Sequence, residues 1–125
     1  MFLSISGAFI EEKAVLLNVP FSTADAEYPV IKQKNGDVYV EYSDWQEKVV
    51  KLVFRDSVGF KWQMVFDLIT GERDDECYEI ACSSWVQKNI ELGVIRESEN
   101  YKHFRLNFNE IGQLEVLCLS LEQGT

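Results

Sequence analysis

Residues 101–120 read YKHFRLNFNEIGQLEVLCLS. Two segments here alternate apolar with polar side chains on either side of a turn near Glu110, Ile111 and Gly112. In a strand, successive side chains point to opposite faces. Pairing Phe108 with Leu114, Leu106 with Val116 and Phe104 with Cys118 gathers six apolar side chains on one face, which must be the core face. His103, Arg105 and Asn107 then share the other face with Glu115, Leu117 and Leu119. The stretch holds the only histidine of the chain and one of its three cysteines. The alternation sends His103 and Cys118 to opposite sides of the sheet. A nucleophile and its base must come within roughly 3 Å, so this pair makes no dyad in this register. Cys118 reads as a packed thiol and His103 as a surface or interface histidine.

The last strand carries a second apolar row. Leu117, Leu119 and Leu121 alternate with Val116, Cys118 and Ser120. The outer face then needs a cover, either a second layer of the same chain such as the segment around Trp85, or a subunit interface. Coverage within the chain is the more economical expectation.

Further upstream, VIKQKNGDVYVEY (30–42) is a hairpin signal: Asn35-Gly36 tolerates the positive φ of a type I′ turn. Ile31 then faces Val40 and Gln33 faces Val38, with Lys32, Lys34, Tyr39 and Glu41 on the other side. In EKVVKLVFRDSVGFKWQMVF (47–66), Val50, Leu52 and Phe54 alternate with Val49, Lys51 and Val53, the pattern of a strand buried on both faces. Val58, Phe60, Trp62, Met64 and Phe66 fall on one face of the next strand. After a loop over 67–76, CYEIAC gives a short strand with Tyr78, Ile80 and Cys82 in phase. Cys82 precedes a helix, a place that can activate a thiol, but its phase predicts a packed one. SSWVQKNIELG predicts a helix near 84–92, with Ser84 and Gln87 as a capping box and Gly93 as the left-handed stop. FLSISGAFIEEKAVLLNV supplies two more strands turning near Glu11-Glu12. The sum is a single domain, 1–125, built as an antiparallel β-sandwich or curled barrel-like sheet of about seven or eight strands with one short helix.

Twenty-one acids against twelve bases give a formal charge of −9. That balance disfavours nucleic acid and anionic membranes, both of which attract Lys and Arg, and its natural complement is a basic protein. Three cysteines without CxxC spacing predict reduced thiols in the cytoplasm. The N-terminus has neither the basic start of a signal peptide nor an apolar span. No metal site or cofactor motif is expected: there is one His, no Gly-rich phosphate loop and no GxSxG elbow.

The densest charge run is Glu72-Arg73-Asp74-Asp75-Glu76. It lacks the spacing of a calcium loop and reads first as a solvated loop. Its acids Glu72, Asp74, Asp75 and Glu76, together with His103, Leu117 and Leu119, are the candidate partner-binding residues, and no residue is assigned a catalytic role.

The segment CYEIACSSWVQKNIELGVIRESENYKHFRLNFNEIGQLEVLCLS, with VKLVFRDSVGFKWQ before it, resembles small bacterial β-rich proteins over roughly residues 48–121. Some of those look like immunity proteins, cognate inhibitors encoded beside toxins. The resemblance implies a non-enzymatic cytosolic binding protein that occludes a basic toxin domain, and it carries no catalytic residues. Two other readings stand beside it: a ligand binder or enzyme with a pocket between the sheets near Trp62 and Tyr78, and a homo-oligomer joined through the outer face of the last hairpin.

Overall fold

The computed structural model describes residues 2–3 and 9–124, with side chains from Glu11 onward. In chain order its elements are β1 (Phe2–Leu3), β2 (Phe9–Ile10), β3 (Lys13–Leu16), β4 (Val30–Lys34), β5 (Asp37–Ser43), β6 (Val49–Arg55), β7 (Gly59–Gln63), β8 (Cys77–Ala81), α1 (Ser84–Glu91), a 3-10 turn (Glu97–Glu99), β9 (Lys102–Phe108), β10 (Gly112–Cys118) and β11 (Ser120–Gln123). Two antiparallel sheets stack: a five-stranded one ordered β3-β8-β9-β10-β7 and a four-stranded one ordered β11-β6-β5-β4. The expected sandwich with one short helix is the observed architecture, with nine strands in the two sheets and no closed barrel. The N-terminal segment breaks at Glu11-Glu12 as expected, but β2 pairs with β1 while β3 joins β8. Residues 4–8 of that segment lie outside the described residues.

The core is the space between the sheets. Val38, Val40, Tyr42, Val50, Leu52 and Phe54 meet Phe104, Leu106, Phe108, Leu114, Val116 and Cys118 there. The Tyr42 and Phe108 rings pack edge to face at 5.1 Å, and the Tyr42 hydroxyl donates to the Ser22 carbonyl at 2.9 Å. The Asn35-Gly36 hairpin forms in the expected register, with φ of 53° and 82° at the two turn residues.

The C-terminal hairpin keeps its predicted faces but not its register. Phe108 pairs with Gly112, Leu106 with Leu114 and Phe104 with Val116, a shift of two residues. The turn is tighter than the pattern implied. Glu110 adopts φ 65°, and the Ile111 N–H donates to the Phe108 carbonyl at 3.0 Å. A two-residue slip preserves the period, so every side chain stays on its face. Gly112 is required there: a Cβ would lie 2.5 Å from the Trp62 ring and 2.8 Å from the Gln63 carbonyl.

Four further expectations are corrected. β6 is buried on one face only, with Val49 60% exposed, because nothing among the described residues covers the outside of the four-stranded sheet. β7 stops at Gln63, and as an edge strand it leaves Phe60 and Met64 exposed while Trp62 reaches the core. Leu121 does not continue the outer row of Leu117. The chain bends at Leu119, whose N–H donates to the Arg55 carbonyl at 2.9 Å, and β11 joins the other sheet with Leu121 packed inward. Cys82 lies beyond the end of β8, exposed, with φ 56°.

Candidate functional site

The outer face of the five-stranded sheet carries a polar layer that the chain itself covers. On β9 and β10, Asn107 lies beside Gln113, Arg105 beside Glu115 and His103 beside Leu117. All six are buried. The Arg105 guanidinium donates to Glu115 Oε1 through Nε at 3.0 Å and Nη2 at 2.9 Å, and through Nη1 to Glu72 Oε1 at 2.9 Å. Asn107 Nδ2 donates to Glu72 Oε2 at 2.7 Å, and the Gln113 amide donates to Asn107 Oδ1 at 2.9 Å. Glu72 also accepts the Ile69 N–H at 2.9 Å, which pins its loop over the sheet. Among the described residues no buried side-chain nitrogen or oxygen lacks a partner, as a low-dielectric polar layer demands.

His103 extends this layer to the helix. Its Nε2 lies 2.7 Å from Glu115 Oε1 and its Nδ1 lies 2.7 Å from Ser83 Oγ. Burial alone would raise the Glu115 carboxyl; the His103 hydrogen bond and the Arg105 charge overcome it and hold the group down to about 2. An ionised Glu115 requires the proton on Nε2. Ser83, not the expected Ser84, is the N-cap: its Oγ accepts the Val86 N–H at 3.2 Å. Gly93, at φ 75°, ends the helix as expected. Trp85 packs edge-on against His103 at 5.1 Å and receives Lys61 over its ring at 4.2 Å. That lid, with Gly59 beneath it, is what covers Leu117.

Ser83, His103 and Glu115 thus lie in line. The Ser83 hydroxyl caps the helix, and the adjacent Ser84 N–H donates to Glu12 Oε2 at 2.9 Å. An open cleft of about 270 Å³ adjoins His103 and carries charges of both signs, including Glu79, Arg96, Glu97 and Lys102.

Three candidate partner-binding residues are therefore withdrawn from the surface. Glu72 was expected in an exposed loop and His103 at the surface or an interface, whereas Leu117 was expected under a cover from the same chain; all three are buried by the loop and helix that dock there. Leu119 is half-buried at the bend between sheets. The homo-oligomer joined through this hairpin loses its surface for the same reason. Nor do Trp62 and Tyr78 line a common pocket: Trp62 faces the core beside Leu114, whereas Tyr78 sits beside Arg105 on the outer face. The predicted separation of His103 and Cys118 holds.

Asp74, Asp75 and Glu76 remain accessible, and the fold gives them company. The Asp25 N–H donates to Asn109 Oδ1 at 2.8 Å, the Glu27 N–H to the Ser43 carbonyl at 3.0 Å, and Thr23 Oγ1 to the Asp75 carbonyl at 3.3 Å. These bonds tie four loops together at one end of the sandwich. Asp25 and Glu27, Asp44 and Glu47, Asp74 to Glu76, and Glu110 meet there, with only Lys48 and Arg73 as bases in those loops. Six of the nine net negative charges thus sit at one end. Trp45 stands among them, 61% exposed, on a turn in which Asp44 Oδ1 accepts the Gln46 and Lys48 N–H groups, each at 2.9 Å. Tyr28, 64% exposed, follows Glu27. Trp45 and Tyr28 were missed from the sequence, although a tryptophan between Asp44 and Glu47 in a polar turn was a visible signal.

The chain matches no family model, and searches of curated proteins and of solved structures return no match. Among the described residues no helix is long and apolar enough to cross a membrane.

Proposed function

We propose that this chain is a non-enzymatic binding protein that seats its acidic loop end on a basic protein partner, with Trp45 as the anchor. The observation that carries the reading is the convergence of eight acids and an exposed tryptophan, on a hydrogen-bonded turn, at one end. Long-range attraction between an acidic and a basic surface speeds encounter, and a desolvated tryptophan supplies most of the holding energy at such interfaces. The role we assign is that of a cytoplasmic inhibitor of a basic toxin domain, which it would silence by covering the basic active-site groove.

The test is co-expression with the basic C-terminal domain of a large protein encoded beside it. Rescue of growth supports the proposal, and continued killing with both proteins soluble refutes it. In purified form, Trp45→Ala is expected to weaken binding by about tenfold or more. Charge reversal at Glu47, Asp74 and Glu110 should slow association by about tenfold at low salt and erase its salt dependence.

A further inference from the structure

Three of the four arginines in the chain are held in ion pairs. Arg55 pairs with Asp37 and Glu122, Arg73 with Asp75, and Arg105 with Glu72 and Glu115. Arg96 has no ion pair among the described residues. It stands on the rim of the 270 Å³ cleft beside His103, together with Lys102, Glu79 and Glu97. Among the described residues none of these four charged side chains is paired. The cleft lies where β8 ends and β9 begins, the opposite end of both strands from the acidic loops. The 3-10 turn that presents Arg96 and Glu97 is fixed by its own bonds. The Arg96 N–H donates to Glu99 Oε1 at 2.7 Å, and the Glu99 N–H donates to the Arg96 carbonyl at 3.0 Å. The wall between the charges is apolar: Ile80 and Ile95 are buried there, and Val86 and Ile90 reach it from α1, half-buried.

We propose that this cleft is a binding site for a small aliphatic α-amino acid. A guanidinium offers a planar pair of donors that matches a carboxylate, so Arg96, with Lys102, takes the negative group of the ligand. Glu79 and Glu97 accept from its ammonium group, and the isoleucine wall receives its side chain. A simple anion would meet two carboxylates here, and a simple cation two bases, so a ligand of one sign loses on one side what it gains on the other. A molecule that carries both signs a few bonds apart satisfies all four groups. At 270 Å³ the cleft is smaller than most pockets for drug-sized molecules, which start at roughly 300 Å³, and that favours a free amino acid over a longer peptide.

The charged groups are exposed or half-buried, so water competes for each of them and binding is weak. A ligand of this size has few atoms to bury, which puts the dissociation constant on the order of 100 μM. The site needs no partner protein and is separate from the acidic loop end.

Backbone-amide NMR titration of the intact chain with L-leucine tests this. Saturable shifts are expected at Ile80, Ser83 and Arg96 to Lys102, with half-saturation at about 100 μM. L-Leucinamide lacks the carboxylate and isocaproate lacks the ammonium group, and each should bind about tenfold or more weakly than L-leucine. Arg96→Gln and Glu79→Gln should each weaken L-leucine by about tenfold with an unchanged thermal midpoint. Trp45→Ala should leave its binding unchanged; a loss there would move the contact to the loop end and overturn the proposal. No saturation by about 10 mM L-leucine overturns it, as does isocaproate binding as well as L-leucine or affinity indifferent to Arg96→Gln.

Discussion

Glu115 is the residue whose chemistry the fold alters most visibly. Its folded value of about 2 lies below the ordinary 4.5, so the native state favours the charged form. The stability it contributes is fully present above about pH 4.5 and is lost as pH falls toward 2; the shift corresponds to about 3 kcal/mol. Urea titrations between pH 2 and 7 should show that loss, and Glu115→Gln should flatten it while destabilising the protein at neutral pH. Glu72→Ala removes a carboxylate that binds Arg105, Asn107 and Gln113 together. Stranding those buried donors should cost about 3–5 kcal/mol in urea unfolding at pH 7. Gly112→Ala should cost about 1–3 kcal/mol by forcing Trp62 from its place, read as a change in near-ultraviolet dichroism. Of these three residues, only the glycine was marked by the sequence as a turn position.

At the scale of elements, the helix and the acidic loop act as lids on one sheet face. α1 is too short to stand alone and depends on docking. Ser83 links its first turn to His103, whereas Ser84 Oγ donates to Glu12 at 3.1 Å on the partly buried side. Ser83→Ala should therefore destabilise by about 1–2 kcal/mol and Ser84→Ala by less, a ranking that thermal melts of the two variants will give. The reverse ranking would return the cap to Ser84. Strand existence was legible because the period of two survives any even slip. Strand ends were less so: β7 and β10 stop where partners and bends dictate, and no local pattern marks the bend at Leu119.

For the whole molecule, the sandwich concentrates like charge. Eight acids at one end repel one another, and added salt screens that repulsion within about 10 Å at 0.1 M. The thermal midpoint should rise by a few degrees between about 10 mM and about 200 mM sodium chloride, and Glu47→Gln with Glu110→Gln should blunt the rise. Differential scanning calorimetry decides this, and a salt-independent midpoint would argue that the end carries no excess potential.

Alternation along residues 30–42 and 101–118 by itself determined that this chain is an antiparallel β domain with one apolar side per strand to bury, and left a sandwich or a curled barrel-like sheet as the two ways to bury it. It also determined that His103 and Cys118 never meet. The tertiary structure alone decided what becomes of the polar side of β9 and β10. His103, Arg105, Asn107 and Glu115 read as one face in need of a cover, but not as an ion-paired layer; they are buried beneath Trp85, which the sequence offered as a cover, and Glu72, which it did not, residues 18 and 33 positions from His103 and Arg105 in the chain. Charged side chains can be buried when each finds its counterpart, and such partners are assembled by the fold across distances that local sequence does not encode. The same holds for the acidic end, whose loops are scattered along the chain and become neighbours only when the sheets close.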